Sequence, residues 1–420
     1  MRAVTRRRAG RPVALLLAVA CVLPSTASAA PVDPIAAQAV PVRIAATAHD
    51  DFADLAPFGR AVGRARIVAL DEQTHGGHEE FALKTRLLRY LHERLGFDVL
   101  VLESGFFDVG RLQQQADAGE RLDDLAPGNI FFMYAKTAEG GEMLRYVDAT
   151  RATPHPLTLV GMDSQLSGAL SQAELVPQLA AFLAAHRSHA PESRDWPGFA
   201  ASVSALTALR QAPPSASERD AFERECAQLE RELAALGDTP RAGVGSAGWW
   251  GRVVAGLRAQ ATQRWVAPRG NARDQAMGDN VVWSAAHLAP GQRMVVWGHA
   301  IHLMHDAPNA EAPPFAGTVV HRRFGADYHV AHLTGLAGRY LDYTTLEPRD
   351  IPPAAPDGLE ARLAAHPGDA LFLAPPRAPA RDAPAARYID YQPFGPLPGR
   401  GLHWESTFFI RQLTPVTMVR

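Results

Sequence analysis

Four short apolar runs, each ending in acidic or histidine residues, constrain this chain more than any other feature. They lie at residues 65–70, 98–102, 157–160 and 294–297 and have strand length. Between the first two, residues 79–95 place Phe81, Leu87, Leu88, Leu91 and Leu95 at helical spacing, and Gly96 follows as a left-handed cap. Strand, helix and strand in that order predict a βαβ unit with parallel strands. A helical stretch near 139–150 precedes the third run, and further strand candidates lie at 328–333, 370–373 and 407–410. Between the third and fourth runs only helical patterns occur, at 172–186, 199–210, 217–236 and 247–264, with Pro213-Pro214-Ser215 as punctuation. A last helix is expected over 271–287, and the Pro- and Ala-rich segment 352–385 reads as surface loop around one short strand. The expected fold is α/β, with a central, mostly parallel sheet flanked by helices. A helical insertion at 166–265 forms a lid over the C-terminal strand ends and divides the core into residues 30–165 and 266–420.

The ionisable residues fall just past those strands. The first ends in Asp71, Glu72 and His75, the second in Glu103, the third in Asp163, and the fourth in His299 and His302. In an open α/β sheet, ligands bind in the crevice outside the C-terminal strand ends. Carboxylate and imidazole groups are costly to bury unless paired. Four strands bringing such groups to one edge therefore read as an active site. Singly, each has a plainer reading: a hydrogen-bonded loop histidine for His299 or His302, a structural partner for Glu103, a helix cap for Asp163. His92, His287, His321, His329, His332 and His403 read as surface or packing residues, while His78 and His305 lie close enough to the motifs to support them.

Absent motifs narrow the chemistry. There is no G-x-S-x-G elbow, and Ser246 has Val244 where that motif needs glycine. Cys226 sits in a charged helix without histidine nearby and reads as a half-buried thiol. Neither a Walker A loop nor a Rossmann glycine fingerprint is present. Two chemistries stay open. A histidine acts as general base on water, oriented by carboxylates. Alternatively, Glu72, His75, Glu103, His299 and His302 hold a divalent metal that generates the hydroxide.

Five motifs, taken in order, resemble the erythromycin esterase family. They are Glu72-Gln73-Thr74-His75-Gly76 with Glu79, Phe81 and Lys84; Leu102-Glu103-Ser104; Gly161-Met162-Asp163; Arg273-Asp274-Gln275-Ala276-Met277; and Trp297-Gly298-His299-Ala300-Ile301-His302. The resemblance runs from about residue 60 to 340. It implies hydrolysis of a macrocyclic lactone ester without a serine nucleophile and without a resident cofactor, with a divalent metal left open. By resemblance, His75 is the general base, and Glu72 and Glu103 orient it and hold its imidazolium. His299 and His302 bind the carbonyl or the oxyanion and later deliver a proton to the leaving alkoxide. Lys84, Arg273 and Asp163 are the substrate-side candidates, with a helix-docking role open for the last two. Asp71 replaces the family's usual Gly, Gln73 a small residue and Ala300 a common Asn, departures that bear on substrate preference more than on reaction type. Trp249, Trp250 and Trp265 of the insertion are candidate ligand contacts, with core packing as their other reading. The alternatives to the esterase are a metal-dependent hydrolase on the same residues and a non-catalytic member acting in polysaccharide biosynthesis or binding.

The N-terminus accounts for the overall charge. Arg6, Arg7 and Arg8 precede an apolar stretch at 13–23 and an Ala27-Ser28-Ala29 cleavage signature, which predicts a secretory signal peptide cut near Ala29 and a periplasmic or secreted bacterial protein. An uncleaved anchor, or a poor lipobox ending at Cys21, are the other readings. The net charge of −2 hides five leader arginines; without them 37 basic residues face 44 acidic ones, a charge of −7. That balance argues against nucleic acid as a partner. The expected partner is a small-molecule ester or lactone, without stable membrane association, and the sequence specifies no oligomeric state. Only Cys226 remains after cleavage, so no internal disulfide forms.

Overall fold

Beyond Met1, the computed structural model describes residues 33–47, 49–210, 212–237, 243–305, 314–374, 384–394 and 403–419. The leader, with Cys21, lies outside them. Every strand-length apolar run becomes a strand, and most extend further than their apolar residues. The strands are Val40–Pro41 (β1), Ile67–Glu72 (β2), Phe97–Gly105 (β3), Thr158–Asp163 (β4), Arg293–His299 (β5), Tyr328–Asp342 (β6), Glu347–Asp350 (β7), Ala370–Leu373 (β8), Ala386–Ile389 (β9), Gln392–Phe394 (β10) and Ser406–Leu413 (β11). Among the described residues one sheet has the order β1-β8-β11-β6-β2-β5-β3-β4, with β7 beside β6, and β9 and β10 pair separately. From β11 to β4 every neighbouring pair is parallel. The β8, β1 and β7 pairings are antiparallel. The fold is thus α/β around a mostly parallel sheet. β2 and β3 are parallel but not adjacent: β5 lies between them, and its register sets His299 beside Glu72.

Helices cover both faces because the strands alternate two sets of buried side chains. On one face Val68, Leu70, Leu100 and Leu102 pack against Phe81, Leu87, Leu88 and Leu91 of helix His78–Leu95, which Gly96 ends at φ 69°. On the other, Ala69, Val99, Val101 and Val296 meet Met277 and Val281 of helix Ala272–His287. Each fully buried aliphatic side chain of this kind contributes about 1.5–3 kcal/mol. Helix Phe106–Asp117, which follows β3 without a loop, escaped the sequence reading. Within 352–385, β8 is buried between β1 and β11, and helix Leu359–Leu363 is also core, while 375–383 lies outside the described residues.

The insertion forms four helices, Ala169–Ala185, Trp196–Thr207, Ala216–Leu236 and Ala247–Ala261. A capping box between Ser215 and Glu218 starts the third. They bury their own core, which joins Phe106 and Phe107. Trp249 and Trp250 belong to that core at 1% and 3% exposure, so they are not ligand contacts. They pack against Phe106 and Phe107, the first two residues of helix Phe106–Asp117. Trp265 rests its edge on Phe222. Cys226 is fully buried rather than half-buried. Among the described residues no helix is long and apolar enough to cross a membrane.

Candidate active site

β2 carries its last residue, Glu72, into the face that holds Leu70 and Trp297, and the chain then turns sharply through His75-Gly76. The Gly76 carbonyl accepts from Leu341 N and Val416 N, each at 3.0 Å. A Cβ on Gly76 would lie 1.8 Å from the Leu341 oxygen, so only glycine permits this approach. The turn folds His75 back onto Glu72, with Nδ1 2.9 Å from Oε1. Tyr134 donates to the same carboxylate oxygen at 3.3 Å. The Lys84 ammonium donates to the other oxygen and lies 4.3 Å from the Trp297 ring centre. A carboxylate on Nδ1 holds the proton there and leaves Nε2 as the acceptor.

A pocket of about 650 Å³ opens over the strand ends. His75, Glu103, Asp163, Arg273, His299 and His302 all line it, so six of the eight sequence candidates meet at one place. Glu72 and Lys84 do not line it; both are fully buried below His75. Lys84 therefore acts on Glu72 rather than on a ligand.

The opposite wall is an ionic chain. Glu103 Oε2 accepts from the His299 amide at 2.7 Å, and its Oε1 lies 3.3 Å from His302 Nε2 and 3.7 Å from the Arg273 guanidinium. Gly298 leaves the room for this, since a Cβ there would lie 3.0 Å from Glu103 Oε2. Arg273 makes a forked pair with Asp163 at 2.9 and 2.6 Å. Asp163 also accepts from Gln165 N at 2.8 Å, so it steadies the loop after β4 instead of capping a helix. His302 Nδ1 lies 2.7 Å from Asp274 Oδ1.

These contacts split the three histidines. Burial pushes His75 down to about 4, against the pull of Glu103. Burial and the neighbouring His75, whose ring centre is 5.1 Å away, bring His299 to about 3. Burial opposes a charge on His302 too, but Glu103 and Asp274 raise it to about 10. Burial would raise Glu103, yet His302, His75 and Arg273 hold it well below the usual carboxylate range. Near neutral pH the pocket thus joins two neutral imidazoles to one imidazolium.

Sequence reasoning missed several partners. Asp274 stood in a motif beside Arg273, and only the docking of its helix against the end of β5 brings it to His302. Phe131 and Tyr343 meet the His75 ring at 4.7 and 5.1 Å, and Asp390 lines the same wall; none stands in a recognisable motif. From the insertion, Ser167, Gly168 and Leu209, the last on the turn after helix Trp196–Thr207, line the pocket. His78 pairs with Glu139 and His305 with Glu405, and neither lines the pocket. His332 is a buried partner of Asp71 at 2.8 Å.

The site's donor atoms do not gather as a metal ligand set. Among the described residues the one group of three or more within common reach is Asp50, Asp51 and Asp54, whose carboxylates are neutralised by Arg43 and Arg86. His302 has both nitrogens engaged by carboxylates.

This is an α/β protein whose parallel strand ends converge on a histidine–carboxylate pocket. The family model described as erythromycin esterase matches residues 92–393, and the chain belongs to that family. The match takes in Glu103, Asp163, Arg273, His299 and His302. The chain is 35% identical to the putative hydrolase YbfO of Bacillus subtilis over 116 residues, which are 27% of this chain and 25% of that protein. It is 29% identical to erythromycin esterase type II of Escherichia coli over 119 residues, 28% of either chain. These matches span only about a quarter of the two relatives. Among solved structures, a Bacillus cereus protein superposes with a TM-score of 0.73 at 20% identity, covering 92% of this chain and 98% of that one. A succinoglycan biosynthesis protein gives 0.70 at 19% identity over 91% and 96%. A mutant of erythromycin esterase EreC in its open conformation gives 0.65 at 17% identity over 89% and 97%. At such identities the likeness shows the fold.

Proposed function

We propose that the protein is an exported hydrolase that cleaves a carboxylic ester, with a macrocyclic lactone as the candidate substrate, by water attack assisted by His75. The observation that carries this reading is the split of the histidines: His75 is neutral, with Nδ1 on Glu72, and faces a pocket that also holds the His302 imidazolium. His75 Nε2 takes a proton from water as the oxygen attacks the carbonyl carbon. Glu72 then faces the new imidazolium, which offsets the low basicity that burial imposes. His302, and Arg273 beyond it, supply positive charge toward the oxyanion. The carbon–oxygen bond to the alcohol breaks as His75 returns its proton to the leaving alkoxide. A neutral His299 keeps a second charge away from His75 while it accepts that proton.

The test is mass spectrometry of macrolides of several ring sizes and of simple esters incubated with the protein. The expected product gains one water, and His75→Ala lowers the rate by about 100-fold or more. Absence of turnover across the whole panel would sink the reading. Loss of activity on chelation, restored by a divalent metal, would favour the metal-dependent version on the same residues. A His75→Ala protein that fully complements a polysaccharide-biosynthesis defect would favour the non-catalytic one. Export is checked on the same preparation: the protein from the periplasm is expected to begin near Ala30, and an intact Met1 there would remove the cleaved leader.

A further inference from the structure

Two residues at the end of β2 depart from the family motif, Asp71 and Gln73, and the side chains of both bond β6, against which a third element is held. Asp71 Oδ2 meets His332 Nδ1 at 2.8 Å, and the other ring nitrogen of His332 lies 3.0 Å from the Arg387 carbonyl. The His332 ring stacks on Trp404 at 4.0 Å. Gln73 donates through Nε2 to Thr334 Oγ1 at 2.6 Å, and its backbone carbonyl accepts from Asp390 N at 2.9 Å. Glu360 bridges the two anchors, accepting from Thr334 Oγ1 at 2.8 Å and Arg387 N at 2.9 Å. The element so held is the β9–β10 hairpin.

Its tip is strained. The two-residue turn Asp390-Tyr391 has φ 47° and 58°, the left-handed pair that favours Asn-Gly. Tyr391 accepts this conformation fully buried, with its ring 5.5 Å from that of Tyr340. At this tip Asp390 lines the pocket together with His75 and Tyr343. Every other carboxylate lining that pocket has a partner, Glu103 and Asp163 in the ionic chain and Asp108 on Ser171 and Gly168. The Asp390 carboxylate makes no hydrogen bond or ion pair among the described residues. Burial and then Asp342 push the Asp390 carboxyl up from its ordinary value, against the pull of His75 and Arg349, and Arg349 is itself paired with Asp342 at 2.5 Å. A half-buried carboxylate without a partner is unfavourable unless something positive binds beside it. Tyr343 offers an aromatic ring on the same wall, the surface that ammonium groups prefer.

We propose that the β9–β10 hairpin is a specificity element, and that Asp390 with the Tyr343 ring forms a subsite for a positively charged amine on the substrate. The proposal rests on the ester-hydrolase reading for the reaction but not for the binding. Asp390→Asn isolates the charge, because Asn accepts left-handed backbone at least as well as Asp. The assay compares kcat/KM for a p-nitrophenyl ester whose acyl chain ends in trimethylammonium with that for its tert-butyl isostere. The cationic-to-neutral ratio is expected to favour the cation in the wild-type protein and to fall by about tenfold in the variant. A ratio that stays constant while both rates fall together overturns the proposal. Tyr343→Leu provides a second reading, with an expected fall in the ratio of about threefold. In parallel, benzyltrimethylammonium is titrated into both proteins by calorimetry, with an expected weakening of about tenfold in Asp390→Asn. No binding to the wild type, or equal binding to both, overturns the subsite. If neither ester is turned over, the hydrolase reading fails on these substrates and the titration alone decides the subsite.

Discussion

A histidine with a carboxylate on each ring nitrogen keeps its proton well above the range of a free imidazole, and His302 is such a residue. Asp274 lies 2.7 Å from Nδ1 and Glu103 3.3 Å from Nε2. Burial works against the charge, but the two carboxylates prevail and bring His302 to about 10. His75, with burial dominant, sits at about 4. The working state of the proposed reaction, neutral His75 beside charged His302, therefore spans the interval between those values. A profile of kcat/KM against pH is expected to be flat across it, to fall on the acid side as His75 gains a proton and on the alkaline side as His302 loses one. Asp274→Asn removes one of the two carboxylates, so the alkaline limb should move down by about one pH unit or more. An alkaline limb left in place by that substitution would show that His302 does not set it.

At the scale of elements, the legible parts of the fold were those whose signal is local. β2, β4, β5 and β8 announce themselves as apolar runs, and helix His78–Leu95 by its 3.6-residue stripe with Gly96 behind it. The catalytic candidates were readable for the same reason: each stands one to five residues past such a run. Strand order was not readable. That β5 separates β2 from β3 depends on how the helices of both crossovers pack, which no single segment encodes. Helix Phe106–Asp117 was hidden because Glu103-Ser104-Gly105-Phe106 offers no side-chain cap, and the chain passes directly from strand to helix. Asp390 lies on the turn between the short strands β9 and β10, where a period of two has too few residues to register, and Tyr343 lies on the turn between β6 and the exposed four-residue β7. Asp71 and Gln73 stood out as departures from a motif, but their meaning needed the docked hairpin. The departures at the end of β2 and the pocket residue without a partner thus meet through β6, although more than 300 positions separate Asp71 from Asp390.

For the whole molecule, the buried histidines make folding stability depend on pH in a direction that can be worked out. His75 and His329 are lowered to about 4 and His299 to about 3, burial being the largest cause in each. Below an unfolded value of 6.5 the unfolded chain binds protons at these three positions while the folded chain does not. Stability is therefore lost as the pH falls from 6.5 toward 4, with each histidine adding up to about 1.4 kcal/mol per pH unit of slope. Carboxylates with lowered values, such as Asp54 at about 2, add to the loss only at still lower pH. His302 and His332 are raised, so their stabilisation is complete below 6.5 and is lost as the pH climbs, through about 10 for His302. Burial works the other way on two carboxyls, Asp108, raised to about 6, and Glu80, raised well above the usual carboxylate range; both bind a proton in the folded chain first and so offset part of the histidine loss. His329 allows a test away from the pocket: its Nε2 lies 2.7 Å from Ser406 Oγ beneath the sheet, and it plays no part in the proposed reaction. His329→Gln should make the acid loss shallower by up to about 1.4 kcal/mol per pH unit. Urea midpoints measured from about pH 5 to about pH 9 on both proteins give the slopes. An acid slope that the substitution leaves unchanged would show that His329 accepts its proton in the folded state, and burial would then not be enough to keep the equally buried His75 neutral.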